Sequence, residues 1–364
     1  MRSRMLVPLL LSGLAAGSVA GQGLSGRARV QIGQEYDTNS WRTYSPNEPD
    51  ELARIVIEGS LRYDAGSQRL SLSYHGGFKA FYHQTAESLV ATRFAAGYRW
   101  KSGKNWLVGA RIDLHDTTMK VHDRDYFLAR GELFARTRIS RWLELECFLG
   151  GRYFLFKPDD SMDYSLKLTH AGPLAGARLY IRGSRDVTAI FQYGVDVRLF
   201  GATAQMLKAG AIVPADMTRL DIRHSGSIRV RQRIRYAERL HLIIEAAYTL
   251  SVNDTNSYGS EAHWHRLSLL LSAQLPFDFT LHLMGTLQFS GYLDGIYVEG
   301  DLYDPDADEN ENSLIVRLSY SIWRDLSVFV HGAVYRNDFQ SHELDLPSFR
   351  RETVMAGLAY DLSF

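Results

Sequence analysis

Four arginines stand at every second position in one stretch of the chain: Arg229, Arg231, Arg233 and Arg235. In an extended strand alternate residues share a face, so the four guanidiniums would stack along one wall. A wall of fixed positive charge inside a pore favours anions. Low-dielectric surroundings strengthen its field. Arg198, Arg219, Arg223 and Arg266 fall in the matching phase of their own stretches and extend this candidate anion path. The same guanidiniums could instead pair with carboxylates such as Asp196 and Glu245 and brace the wall. The two readings, brace and path, are compatible and both stay open.

Three other groups could carry chemistry. Asp304, Asp306 and Asp308 alternate with Pro305 and Ala307, which spaces their oxygens like those of a calcium loop. The turning glycine and flanking helices of an EF-hand are missing. A solvated acidic loop is therefore weighed against a surface divalent-cation site. His122 with Asp123 and Asp125, and His263 and His265 near Asp254, offer base-and-carboxylate pairs. A catalytic set also needs a nucleophile and an orienting group converging in space, and nothing completes one. The expectation is that the protein is not an enzyme and needs no cofactor. Cys147 is the single cysteine, so the chain can form no intramolecular disulfide and no thiolate cluster. It alternates with Leu145 and Leu149, which reads as a small lipid-facing hydrophobe.

These residues are set in a chain of 364 with zero formal net charge, which points neither to a nucleic-acid partner nor to an acidic tail. Mean hydropathy is −0.20, a value a water-soluble protein would show. A transmembrane barrel escapes that measure because every second residue can be polar. Met1 to Ala20 has the form of a secretory signal: Arg2 and Arg4, an apolar run from Met5 to Leu14, then Ser18-Val19-Ala20. Residues 21–364 are then one barrel domain. No Cys follows the small residues, which argues against a lipoprotein anchor, and no later stretch reaches the ~18 apolar residues of a spanning helix.

Period-two alternation starts after the signal and hardly pauses. Val30 and Ile32 alternate with Arg29 and Gln31; Leu143, Leu145 and Leu149 with Glu144 and Glu146; Ile228, Val230 and Ile234 with the arginine row. Such alternation predicts strands with one apolar face. About sixteen of them fit, an even number, as antiparallel up-and-down barrels with both termini on one side require. Short connections near 65–67, 102–104, 140–141, 183–185, 237–238, 276–277 and 324–325 alternate with long ones near 38–51, 115–124, 157–163, 201–217, 253–262, 294–312 and 337–350. Tyr36, Tyr63, Tyr82, Trp100, Trp106, Trp142 and Trp323 fall near strand ends, where interfacial girdles lie. A sandwich or lipocalin-like barrel would have to bury one phase, and the polar phase carries too many charges for that. Its basic residues outnumber its carboxylates by roughly two to one in this register. Glu299, Asp301 and their neighbours in the acidic loop restore the balance.

The last stretch places Val354, Ala356, Leu358, Tyr360, Leu362 and Phe364 on one face, and the chain stops on that aromatic residue. It resembles the C-terminal signature of bacterial outer-membrane β-barrels. The resemblance implies Tyr360, Leu362 and Phe364 as an assembly signal for the barrel-assembly machinery, with membrane lipid and lipopolysaccharide as surroundings. Glu35-Tyr36-Asp37-Thr38-Asn39 resembles the opening motif of the β-barrel porin 2 family, which includes barrels of exopolysaccharide and capsule export loci. That resemblance implies translocation of a polysaccharide across the outer membrane, with periplasmic export components as partners. The basic inward phase independently suits a polyanion or small anions. A non-conducting structural or adhesion barrel is the alternative, and an outer-membrane hydrolase stands behind it.

Overall fold

In a computed structural model, the described residues are 23–39, 48–120, 125–157, 168–184, 186–236, 241–292, 312–337 and 349–364. The signal-like segment Met1–Ala20, the acidic run with Asp304, Asp306 and Asp308, and the pair His122 and Asp123 lie outside them. The first half of the chain contributes β1 (Leu24–Asp37), β2 (Asp50–Ala65), β3 (Gln68–Phe81), β4 (Leu89–Ser102), β5 (Trp106–Met119), β6 (Tyr126–Arg138), β7 (Leu143–Phe156) and β8 (His170–Arg182). The second half contributes β9 (Val187–Lys208), β10 (Ala211–Arg235), β11 (His241–Thr255), β12 (Ala262–Gln274), β13 (Phe279–Tyr292), β14 (Asn312–Ser321), β15 (Leu326–Asn337) and β16 (Phe349–Ser363). Every strand pairs antiparallel with its chain neighbours, and β1 pairs with β16, closing a barrel of sixteen strands. The β1–β16 pairing removes the two open edges that the sheet would otherwise have, which strands bathed in hydrocarbon could not tolerate.

The apolar phase faces outward all the way round. Ile32, Leu133, Leu149, Phe289 and Leu358 are each more than half exposed although they sit mid-strand. A continuous apolar belt of this extent is a surface for lipid, and the fold is a transmembrane barrel. Cys147 lies on that exterior, as its spacing predicts. Tyr63, Trp100, Trp106, Trp142 and Trp323 ring the end that carries the tight turns, the start of β1 and the end of β16, and Tyr36 and Tyr82 mark the other end; all are exposed. Short turns mark the periplasmic side of such barrels.

One connection differs from expectation. The stretch 201–217 reads as a long loop, yet β9 and β10 continue through it as a hairpin that outruns its neighbours. β8 stops pairing with β9 at Phe200, and β11 stops pairing with β10 at Asp221. The hairpin turns at Ala209 and Gly210, both with positive φ (53° and 80°), the geometry that matches strand twist in a two-residue turn. Its alternation is hidden by small residues, Gly201 to Ala204, and by a register shift between Pro214 and Thr218. Likewise β5 and β11 run on to Met119 and Thr255, into segments expected to be loops.

Candidate functional site: the lumen wall

The four arginines of β10 take the phase opposite Ile228 and Val230, which are exposed on the outer face. The guanidiniums therefore line the lumen. Arg231 sits opposite Glu245 of β11 and pairs with it at 2.6 Å, and Arg229 reaches the same carboxylate at 3.4 Å. Both arginines remain more than half exposed, at 55% and 58%. Arg233 and Arg235 have no carboxylate in ion-pair range among the described residues, and they too are exposed. Glu245 is thus a partial brace. Asp196, the other expected partner, serves Arg198 at 3.3 Å and Arg152 at 3.5 Å instead. The register explains this: Asp196 lies opposite Arg223, whereas Arg229 lies opposite Ile190.

The remaining candidates divide by burial. Arg219 is largely buried, pairs with Asp221 at 2.7 Å and lies over the Phe200 ring at 4.2 Å. Asp221 also accepts from Asn253 (3.1 Å) and Thr255 (2.6 Å). Arg198 is 9% exposed. Arg223 lies over Trp264 at 4.7 Å, and Arg266 faces inward between Thr249 and Gln288. The structure does not bring all eight into one row. Arg229 to Arg235 form an exposed file near the turn end, and Arg198, Arg219 and Arg223 belong to paired or stacked groups higher on the wall.

A second constellation went unread in the sequence. Glu132 and Glu146 gather four guanidiniums, from Arg111, Arg130, Arg136 and Arg178. Glu146, fully buried, binds Arg111 (2.9 Å), Arg178 (2.8 Å) and Arg136 (2.7 Å). Glu132 binds Arg130 (2.9 Å), Arg178 (3.1 Å) and Arg111 (3.3 Å). Beneath this layer lie inward-facing rings: Arg111 sits 4.0 Å over Phe134, Arg178 4.1 Å over Phe148, and Arg136 4.1 Å over Tyr180. The quadrupole of a ring face attracts a cation, so each ring both fills volume and holds a guanidinium flat. The sequence signal was available. Between Cys147 and Phe156 both phases carry apolar residues, so Phe148, Phe154 and Phe156 must point into the lumen.

The Glu35-Tyr36-Asp37-Thr38-Asn39 motif has a mechanical place. Glu35 holds Arg54 (2.9 Å) and Lys79 (3.2 Å). Asp37, with no exposed surface, is paired with Arg351 of β16, itself 7% exposed. Thr38 accepts the Glu352 N–H at 2.9 Å, and the Asn39 amide donates to the Arg350 carbonyl at 3.2 Å. The motif locks the first strand to the last. At the other end of that junction Gly26 and Phe364 exchange backbone bonds at 2.9 and 3.0 Å. The Phe364 ring covers Gly26 so closely that a Cβ there would stand 2.3 Å from it.

Beside the Glu132–Glu146 layer the lumen opens into a cavity of 740 Å³. The short side chains of Ser60, Ser71, Ser73, Ala95 and Gly97 border it from β2, β3 and β4, and Arg99, Arg111, Arg130 and Arg178 from β4, β5, β6 and β8.

Among the described residues no three His, Cys, Asp or Glu side chains come together to hold a metal. His263 and His265 meet edge to face at 5.5 Å, and His265 bonds the Tyr248 hydroxyl at 2.8 Å, on the outward phase. Asp125 is buried and accepts the Met119 N–H at 2.5 Å, a structural role.

No family model and no curated protein matches the chain. Among solved structures it is similar to Salmonella typhi OmpF in complex with daunomycin, at 14% identity over 93% of this chain and 97% of that one, with a TM-score of 0.49. It is also similar to the Pseudomonas aeruginosa outer membrane protein OpdK, at 11% identity over 93% and 99% with a TM-score of 0.44. A bacterial polysaccharide outer membrane secretin stands at 11% over 92% and 98%, with a TM-score of 0.42. These likenesses concern the barrel and say nothing of a solute.

Proposed function

We propose that the chain is an outer-membrane conduit for anions, its cargo either small anions or a polyanionic saccharide, and that the β10 arginines set its preference. The observation that carries the reading is the exposed file of four guanidiniums with one shared carboxylate, Glu245. A pore wall with this imbalance attracts anions and repels cations. A fixed charge ~8 Å from a passing ion is worth about 0.5 kcal/mol in water-like surroundings, so two charges change anion occupancy roughly fivefold. Salt erodes this, since the screening length falls from about 30 Å at 0.01 M to about 3 Å at 1 M.

Arg231→Gln with Arg233→Gln should therefore leave a folded barrel whose anion preference is several-fold lower at low salt and little changed at high salt. The check is reversal potential across a planar bilayer under a salt gradient. A wild-type pore that selects cations, or a double variant that keeps full anion selectivity, would sink the reading. The bracing role has its own support in the Arg231–Glu245 pair, and a double variant that fails to fold would give it precedence.

A further inference from the structure

We propose that the cavity beside Arg99 is a binding site for a small polyhydroxylated carboxylate, a sugar acid. The proposal rests on reading the barrel as an anion conduit, and it names a solute class. The cavity, 740 Å³, has the volume of a small-molecule site. Its walls differ in chemistry. Ser60, Ser71 and Ser73 leave room on one side and present hydroxyls. Ser71 donates to the Gly97 carbonyl at 3.1 Å and keeps its lone pairs for a solute hydroxyl.

The opposite side carries Arg99, Arg111, Arg130 and Arg178 together with the carboxylates Asp113, paired with Arg93, and Glu132, and its positive charges are unequal in availability. Arg111, Arg130 and Arg178 are held by Glu132 and Glu146. Arg99 is half-buried, lines the cavity and has no carboxylate in ion-pair range among the described residues. A guanidinium is a planar fork of donors with no acceptor, and a carboxylate answers it with two parallel bonds. A neutral polyol would satisfy the serines and leave Arg99 to water. A simple fatty carboxylate would satisfy Arg99 and bury its chain against hydroxyls. A sugar acid answers both walls.

The test is isothermal titration of the full-length folded barrel in detergent with D-gluconate, D-sorbitol and propionate. Saturable binding of gluconate, with sorbitol and propionate much weaker, is the expected result. Arg99→Gln should weaken gluconate roughly tenfold or more, the scale of one charge-assisted hydrogen bond, and Arg99→Lys should fall between. Ser73→Leu, which fills the cavity and leaves every charge in place, should also abolish binding, and it decides the matter if Arg99→Gln does not fold. Equal binding of sorbitol and gluconate overturns the proposal, as does wild-type affinity in both variants. Bilayer recording separates the two readings. A barrel that conducts anions but binds no gluconate removes this site alone; one that binds gluconate but passes no anion current removes the conduit and keeps the site.

Discussion

Glu146→Gln should destabilise the folded barrel by about 3–5 kcal/mol, the range for removing one partner of a buried ion pair. The side chain has no exposed surface, and its two oxygens receive Arg111, Arg136 and Arg178. Glutamine keeps the shape and withdraws the charge. Glu132 then shares itself among Arg111, Arg130 and Arg178, and Arg136 keeps the carboxylate of Glu144 at 3.5 Å and the neutral Tyr180 hydroxyl at 2.9 Å. Guanidiniums stacked on Phe134, Phe148 and Tyr180 cannot swing away without uncovering those rings. Glu245→Gln is the control. Its arginines are exposed to the lumen, so its loss should cost about 0–1 kcal/mol. Urea midpoints of the detergent-folded barrels measure both. Equal midpoints for the two variants would mean that the Glu146 cluster is hydrated and weak. Adding Arg136→Gln to Glu146→Gln should recover part of the loss, because it removes one of the stranded charges.

Deletion of Tyr360–Phe364 should abolish barrel formation altogether. The segment supplies the pairs Arg27–Ser363, Ala28–Leu362, Arg29–Asp361 and Val30–Tyr360. It also carries the Arg27–Asp361 ion pair at 2.7 Å and the Gly26–Phe364 backbone bonds. Without it the first part of β1, from Arg27 to Val30, keeps an unpaired edge at the end that carries the tight turns, inside or next to hydrocarbon, where each unsatisfied backbone group is costly; β15 loses only its Leu326–Tyr360 pair. The pairs from Gln31–Ala359 up to the Asp37–Arg351 lock are not deleted, but a junction paired along only part of its length cannot shield the rest from hydrocarbon, so no closed barrel is expected. The measurement is heat-modifiable electrophoretic mobility of the outer-membrane fraction, which separates folded from unfolded barrel. A normal folded band after the deletion would show that the junction tolerates an open lower half. Gly26→Leu gives a gentler version: the chain is complete, but the seat of the Phe364 ring is occupied. It should slow assembly without abolishing it, read by the same band over time.

Much of this architecture was legible in residue order, because a strand's two faces are a local property. Ile228, Val230 and Ile234 against Arg229 to Arg235 set which side meets lipid, since the opposite register would place four arginines in hydrocarbon. The same logic placed Cys147 outside, Glu146 inside and Phe364 on the lipid face. Sixteen strands followed from counting such stretches between turns. Where alternation weakened, the reading failed: Gly201–Ala204 carry too little contrast between phases to reveal that β9 runs on to Lys208.

Which inward groups meet was not legible, because it depends on register and stagger between strands far apart in the chain. Asp196 and Glu245 look equivalent as partners for the arginine row, yet only Glu245 stands opposite it. Arg111, Arg136 and Arg178 come from three strands, and only the folded stagger brings them to Glu146. The cavity beside Arg99 is likewise a product of the fold: serines spaced along β2 and β3 become one hollow only when those strands lie side by side across from β5 to β8. Period two tells each side chain which way to point. Closing the sheet tells it what it will find there.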